Sequence, residues 1–400
     1  MSHKTNRTLA GIDHLKTINP SRFDGKIGLL CHAASVDINY KHSIQILSEL
    51  FGDRFTTIFS PQHGLIGNVQ DNMVESQHFI HPYFKRPVYS LYSETRAPTV
   101  EMLKNCDTIF VDLQDVGCRI YTYIYSLSLL MEQAAQLNKK VVVLDRPNPI
   151  GLREEDMEGN VLDLKYKSFV GLHPLPARHS MTLGEFGMMA KALWHPKCDL
   201  EVVSALKLNR EMQYEETHLP WVLPSPNLPT IDAAYTFNAT VMLEGTNISE
   251  GRGTTRSLEI IGHPDYLPWE YHGPIMKKMQ DCALEGFVLR PMVFRPTFQK
   301  HGGQDCGGYQ IHVTDRQKFR PWRVGQILMQ EFYLKLGEKF SWKQPPYEYE
   351  YDLLPIDLIN GTDLLRTWVE RGGSYRDLEE IEGESLKVFK DVRKNFLLYS

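Results

Sequence analysis

A chain of 400 residues exceeds most single compact domains, so two are expected. Its 42% hydrophobic and 23% charged residues are those of an ordinary soluble globular enzyme. The net charge of -5 comes from interspersed acids and bases without a basic stripe, which argues against nucleic acid as a partner.

Residues 1–15 lack the apolar run of a signal peptide, and no later apolar stretch is long enough to span a bilayer. Cys31, Cys106, Cys118, Cys198, Cys282 and Cys306 are widely spaced, with no C-x-x-C pair. That pattern predicts free thiols in a reducing compartment, hence a cytoplasmic location with no membrane partner.

Apolar runs at Ile27–Cys31, 56–59, 88–91, 108–111 and 141–144 predict strands. Helical spacing at 44–51 and 121–137 falls between them, and Ser180 and Thr182 can cap a further helix running to Leu193. Continuous apolar strands alternating with helices predict an α/β fold with a parallel sheet covered on both faces. After Trp194 the rhythm changes. His195-Pro196-Lys197 breaks the pattern, 200–205 reads as a strand, and Pro220, Pro224, Pro226 and Pro229 keep their segment mostly extended. Strands are predicted at 240–243, 288–294 and 309–313, with a helix at 323–336. The change near 195–215 divides the chain into domains 1–205 and 206–400. The tail over 363–396 reads as short charged helices, partly solvated.

In open parallel sheets, ligands bind beyond the carboxyl ends of the strands. Four predicted strand exits are polar: His32-Ala33-Ala34-Ser35, Ser60-Pro61-Gln62-His63-Gly64, Asp112-Leu113-Gln114-Asp115-Val116-Gly117-Cys118-Arg119 and Asp145-Arg146-Pro147-Asn148-Pro149. Any one of them is an ordinary surface loop; four on one rim predict a site. No G-x-G-x-x-G follows the first strand, and the chain has no P-loop and no G-x-S-x-G elbow. The histidines lack a compact ligand spacing, so His63 and His179 are expected to donate hydrogen bonds or pack rather than hold zinc. Carboxylates, amides and arginines in loops remain, which suit polyols and carboxylates. A second cluster runs from Leu243 and Glu244 through Gly251-Arg252-Gly253-Thr254-Thr255-Arg256. Its glycines let backbone approach a ligand, and Arg252 and Arg256 suit an anion. An ordinary turn with surface arginines fits that stretch equally well.

Over nearly its whole length the chain resembles the exo-β-N-acetylmuramidase glycoside hydrolases, a family long known only as a domain of unknown function. The resemblance is carried by Leu113-Gln114-Asp115-Val116-Gly117-Cys118-Arg119-Ile120-Tyr121, Leu144-Asp145-Arg146-Pro147-Asn148-Pro149, Phe169-Val170-Gly171-Leu172-His173-Pro174, Pro224-Ser225-Pro226-Asn227-Leu228-Pro229 and the stretch from Glu244 to Arg256. It implies a Rossmann-like first domain, a second α/β domain and a cleft between them. The implied activity is release of terminal N-acetylmuramic acid from the non-reducing end of peptidoglycan fragments, with no metal or nucleotide cofactor.

One position departs from the family pattern. Pro61-Gln62-His63-Gly64 stands where members commonly carry Pro-Glu-His-Gly, followed here by Gln70-Asp71-Asn72-Met73-Val74-Glu75-Ser76. An amide orients a substrate but transfers no proton, so the acid must come from elsewhere. Glu75 is the first choice, since it shares the strand-exit excursion of Gln62 and matches a family glutamate; Asp115 and Glu94 follow. Asp115 is better suited to an ion pair with Arg119. The substrate's own acetamide can serve as nucleophile, with Gln62 orienting it. Arg119, Arg146, Arg252 and Arg256 are candidates to grip the lactyl carboxylate, and His63, Tyr121, Asn148, Asn227, Glu250 and Thr254 are candidate sugar contacts. A sugar-binding protein that has lost hydrolysis is the alternative that Gln62 leaves open.

Since neither metal-ligand spacing nor a phosphate loop is present, hydrolysis is expected to survive EDTA and to need no nucleotide. Activity lost in chelator and restored by one divalent ion would contradict this.

Overall fold

The computed structural model describes residues 7–68, 70 and 74–400. Asp71, Asn72 and Met73, quoted above with Glu75, lie outside the described residues.

The strands in chain order are β1 Ile27–Cys31, β2 Phe55–Ser60, β3 Phe79–Ile80, β4 Pro87–Ser90, β5 Thr108–Asp112, β6 Lys140–Leu144, β7 Glu158–Val161, β8 Pro176–Arg178, β9 Asp199–Val203, β10 Ile260–His263, β11 Phe287–Phe294 and β12 Cys306–Val313. The helices are α1 Gly11–Leu15, α2 Ser43–Phe51, α3 Val100–Leu103, α4 Tyr123–Gln136, α5 Leu183–Leu193, α6 Ile231–Thr240, α7 Pro268–Asp281, α8 Pro321–Leu336, α9 Pro355–Asn360, α10 Leu364–Glu370 and α11 Tyr375–Arg393.

Among the described residues, seven strands form one sheet in the order β3-β4-β2-β1-β5-β6-β9. All its pairings are parallel except β3 with β4. The apolar runs of the sequence become buried strands because helices cover both faces. Period-two alternation sends Leu30, Val111 and Val143 to one face, against Ile124 and Leu127 of α4 and Phe186 of α5. Leu29, Phe110 and Val142 point the other way, onto Phe23 and Phe51. A second, antiparallel sheet has the order β10-β12-β11, and β7 pairs with β8.

The two halves are joined by buried polar contacts. Asp145, at the end of β6, accepts from Thr182 Oγ1 (2.7 Å) and the Gly184 amide (2.7 Å), which anchors the start of α5. It also accepts from the Tyr399 hydroxyl at 2.6 Å, bringing the last residues back onto the first sheet. Burial pushes the Asp145 carboxyl up to about 6. Among the described residues no helix is long and apolar enough to cross a membrane.

Two expected elements differ. The stretch 240–243, read as a strand, is the end of α6 followed by a 3-10 turn, Val241–Gly245. A short apolar run has no period of its own, and Thr230 caps α6 by accepting from the Ala233 amide. The charged tail begins with one short helix, α10, but most of it is a single long one. Ser374 opens a capping box for the 19-residue α11, whose Leu378, Glu382, Leu386 and Phe389 form one buried face.

Arg119 also departs from expectation. It makes no ion pair with Asp115; only 1% exposed, it donates to the carbonyls of Asn160 (2.7 Å), Leu175 (2.8 Å), Ile359 (3.2 Å) and Asn360 (2.7 Å). One guanidinium thus ties β7 and the approach to β8 to the end of α9. Its five donors in a fixed fork suit a cluster of carbonyls in a way that lysine cannot match. Arg119→Leu is expected to lower stability by about 3 kcal/mol or more, because several buried carbonyls lose their donor together. Urea denaturation measures this; a loss within experimental error would show that water replaces the guanidinium.

Candidate active site

The loops after β2 and β5 meet a wall made from the second half of the chain. Gln62 and His63 follow β2, and Tyr121, Thr122 and Tyr123 lie at the entrance to α4. Ser225 and Asn227 come from the proline-rich segment, Glu244 and Arg252 from the stretch after α6, and Tyr347 and Glu348 from the loop before α9. Together they line a narrow cleft, with about 510 Å³ of empty space when the solvent open to it is included. The proline-rich segment is fixed by the Pro224 carbonyl, which accepts from the Tyr123 hydroxyl (2.7 Å) and faces His32 Nδ1 (3.1 Å). His32 Nε2 accepts from the Gln114 amide at 2.9 Å, so Nδ1 carries the proton and donates to Pro224. Burial lowers the pKa of this imidazole to about 3.

Gln62 and Glu348 face each other in this cleft. Thr122 Oγ1 donates to Gln62 Oε1 at 2.8 Å, and Gln62 Nε2 makes a long 3.4 Å contact with Glu348 Oε1. The Tyr92 hydroxyl donates to Glu348 Oε2 at 2.8 Å. Glu348 is only 4% exposed, and its burial raises the carboxyl above the usual range despite the hydrogen bond from Tyr92. Repulsion from Glu244 acts in the same direction.

Beside that pair, Arg252 lies between two carboxylates. Its Nη2 donates to Glu244, and its Nε donates to Glu250 at 3.0 Å. Glu250 also takes Lys300 Nζ at 2.8 Å, while the Tyr347 hydroxyl donates to the other oxygen of Glu244 at 2.7 Å. Asn227 Nδ2 and Arg252 Nη1 converge on the Gln70 carbonyl, at 2.6 and 3.3 Å. The turn carrying Arg252 requires glycine at 253, where φ is +79° and a Cβ would lie 2.7 Å from the Phe298 carbonyl oxygen. The Tyr121 hydroxyl is buried facing Tyr123 and Ser225, but makes no hydrogen bond of good geometry among the described residues.

The remaining candidates lie outside the cleft lining. Arg146 is held by Asp112 at 2.5 and 2.9 Å and by the Val36 carbonyl at 2.8 Å. Asn148 donates to the Met181 carbonyl and accepts from the Ile150 amide; a Cβ at Gly117 would sit 2.4 Å from its oxygen. Asp115 accepts from the Gly117 amide at 2.7 Å and lies 3.6 Å from His179 Nε2. Thr254 closes its own turn onto the Gly251 carbonyl at 2.6 Å, and half-exposed Arg256 lies 3.4 Å from Glu259. Glu94 is exposed. Glu75 does not face Gln62: half exposed, it accepts from the Tyr349 hydroxyl at 3.1 Å and lies 3.7 Å from Arg96. Of the four arginines proposed as carboxylate grips, only Arg252 borders the cleft, and its donors are already engaged.

Sequence reasoning passed over Glu348, Thr122, Tyr92 and Tyr347, and preferred Glu250 to Glu244. Glu348 lies 286 residues from Gln62 in a loop whose alternating tyrosines and glutamates read as solvated surface. The signal that was available is Glu244, which sits inside a motif already singled out. Among the described residues no group of three or more His, Cys, Asp or Glu could hold a metal ion.

Comparison with known proteins gives a consistent picture. The family description exo-beta-N-acetylmuramidase NamZ, N-terminal, matches residues 27–232, and its C-terminal counterpart matches residues 235–399. The chain is 38% identical over 397 residues to the peptidoglycan beta-N-acetylmuramidase NamZ of Bacillus subtilis strain 168, covering 99% of this chain and 92% of that protein. A DUF1343 family protein from Bacteroides fragilis superposes with a TM-score of 0.86 at 29% identity, covering 99% of this chain and 100% of that one. A second DUF1343 protein from the same organism gives 0.74 at 29% identity, covering 98% and 99%.

Proposed function

Because the chain belongs to the exo-β-N-acetylmuramidase family, we propose that it releases terminal N-acetylmuramic acid from the non-reducing end of peptidoglycan fragments, with Glu348 as the acid. The observation that carries the assignment is a buried carboxyl of raised pKa opposite Gln62 in the cleft. A carboxyl whose pKa is raised holds its proton to higher pH than an ordinary glutamate and can give it to a glycosidic oxygen as the bond to the anomeric carbon breaks. Tyr92 holds Glu348 Oε2 at 2.8 Å while Gln62 makes only a long 3.4 Å contact with Oε1, so Oε1 is the atom assigned to carry the proton.

Glu244 is the second carboxylate assigned to the sugar. Its charge is offset by Arg252, and it can stabilise positive charge developing at the anomeric carbon. Gln62 acts as an orienting amide for the acetamido group. With the cleft's arginine already paired, the hydroxyls, amides and His63 imidazole of the wall are left to hold the lactyl carboxylate, and the buried Tyr121 hydroxyl is the first of these. Ser225 and Asn227 flank it on the cleft wall. A sugar-binding protein without hydrolysis is not favoured, since the family is one of hydrolases and the cleft retains two carboxyl groups. The six cysteines are all free, which supports a reducing, cytoplasmic setting for the recovery of cell-wall sugars.

Acid catalysis needs the Glu348 proton, so activity is full below its raised pKa and falls as pH rises through it. Glu348→Gln is expected to lower kcat by about a hundredfold or more and to remove that alkaline limb, with muramic acid still bound. A variant with wild-type kcat would move the acid elsewhere.

A hydrogen bond to a charged group contributes about 1.5–3 kcal/mol, so Tyr121→Phe should weaken N-acetylmuramic acid binding by about tenfold or more. Titration calorimetry should show a smaller loss for N-acetylglucosamine, which lacks the lactyl group. Equal losses for the two sugars would show that Tyr121 does not read the carboxylate.

A further inference from the structure

Two adjacent non-glycine residues, Glu348 and Tyr349, sit at φ +46° and +68°, in the left-handed region that side chains disfavour. Such backbone persists only where surrounding contacts over-determine it. The contacts here come from a cluster behind Glu348. The Arg96 guanidinium lies between two tyrosine rings, 4.1 Å from the centre of Tyr92 and 4.1 Å from the centre of Tyr349. Arg96 is fixed in turn by donation to the Ser93 carbonyl. The Tyr349 hydroxyl reaches Glu75 at 3.1 Å, and Glu75 lies 3.7 Å from Arg96. Tyr92, the other face of the sandwich, donates to Glu348 itself.

We infer that Arg96, Tyr349 and Glu75 form a clamp that positions the Glu348 carboxyl in the cleft, so that Glu75 serves the reaction as a positioning residue. The inference rests on Glu348 being the acid. Three consecutive side chains divide the work: Tyr347 turns to Glu244, Glu348 to Gln62 and Tyr92, and Tyr349 to the clamp. If Tyr349 let go, nothing in its own backbone preference would keep Glu348 where it is, since the left-handed conformation would relax. The charged and titratable groups acting on Glu348 include Tyr92, Glu244, Arg96 and its chain neighbours Tyr347 and Tyr349, and Arg96 lowers its pKa. The clamp therefore sets both where the acid is and how readily it holds its proton.

Steady-state kinetics across pH on the full-length chain test this, with thermal melts confirming that each variant is folded. Tyr349→Ala is expected to lower kcat by about ten- to a hundredfold with little change in KM, as misplacement of a catalytic group does. Tyr349→Phe keeps the ring over Arg96 and should recover most of that rate. Arg96→Met should lower kcat and move the alkaline limb to higher pH, because the cation that favours ionised Glu348 is gone. Glu75→Gln still accepts from Tyr349 and should lose only a few-fold while keeping the alkaline limb. If Glu348→Gln is inactive but Tyr349→Ala and Arg96→Met retain wild-type kcat and pH profile, the clamp is overturned and the acid assignment stands. If Glu348→Gln is active, or Glu75→Gln abolishes both activity and the alkaline limb, the acid assignment fails and the clamp falls with it.

Discussion

A parallel sheet delivers every carboxyl-end loop to the same rim, and that constraint organises the rest of this molecule. With β1, β2, β5 and β6 running in one direction, the polar stretches after them have no other place to go. The rim is too polar to be buried by apolar packing alone, so each group there must find a partner in the protein or in a ligand. The second half of the chain supplies most of those partners. Pro224 takes His32 and Tyr123, and Tyr399 takes Asp145. What the second half leaves uncovered is the cleft.

The arginines show how this requirement sorts residues of one type into different tasks. Arg119 and Arg146 lie in loops leaving the rim, yet both are consumed by the scaffold, one by carbonyls from distant segments and the other by Asp112. Arg252 reaches the cleft wall but holds Glu244 and Glu250 rather than standing free. A buried guanidinium without acceptors or a counter-charge would be costly, and a free one in an empty cleft would draw its nearest carboxylate in any case. The proposed recognition of an acidic sugar by groups other than arginine follows from that balance.

Gln62 and Glu348 are best understood as a pair. The amide keeps contact with the facing carboxyl and with Thr122 without adding a second negative charge at close range. A glutamate at position 62 would bring two carboxyl groups together and couple their titration. With glutamine there, burial and the neighbouring Glu244 raise Glu348, while Tyr92 and Arg96 oppose them. The Glu348 carboxyl is therefore tuned by side chains drawn from three separate stretches of the chain, around Gln62, Tyr92 with Arg96, and Glu244.

The sequence by itself determined the parallel sheet, its parallel strands to within a residue or two though not the antiparallel edge strand β3, the family and the rim on which Gln62 lies. These depend on local period and on motifs that are contiguous in the chain. The cap of α5 at Thr182 was legible for the same reason. Only the tertiary structure decided which carboxyl faces Gln62. Glu75 is close to Gln62 in the chain yet turns outward to Tyr349, whereas Glu348 arrives from the far end of the sequence. No local pattern encodes that meeting, because it depends on how the second half of the chain packs across the rim. The same holds for Arg119 and Asp115, near neighbours in sequence that never pair because carbonyls from β7 and α9 surround the guanidinium first. Burial decides the chemistry of such groups, and burial is a property of the assembled fold.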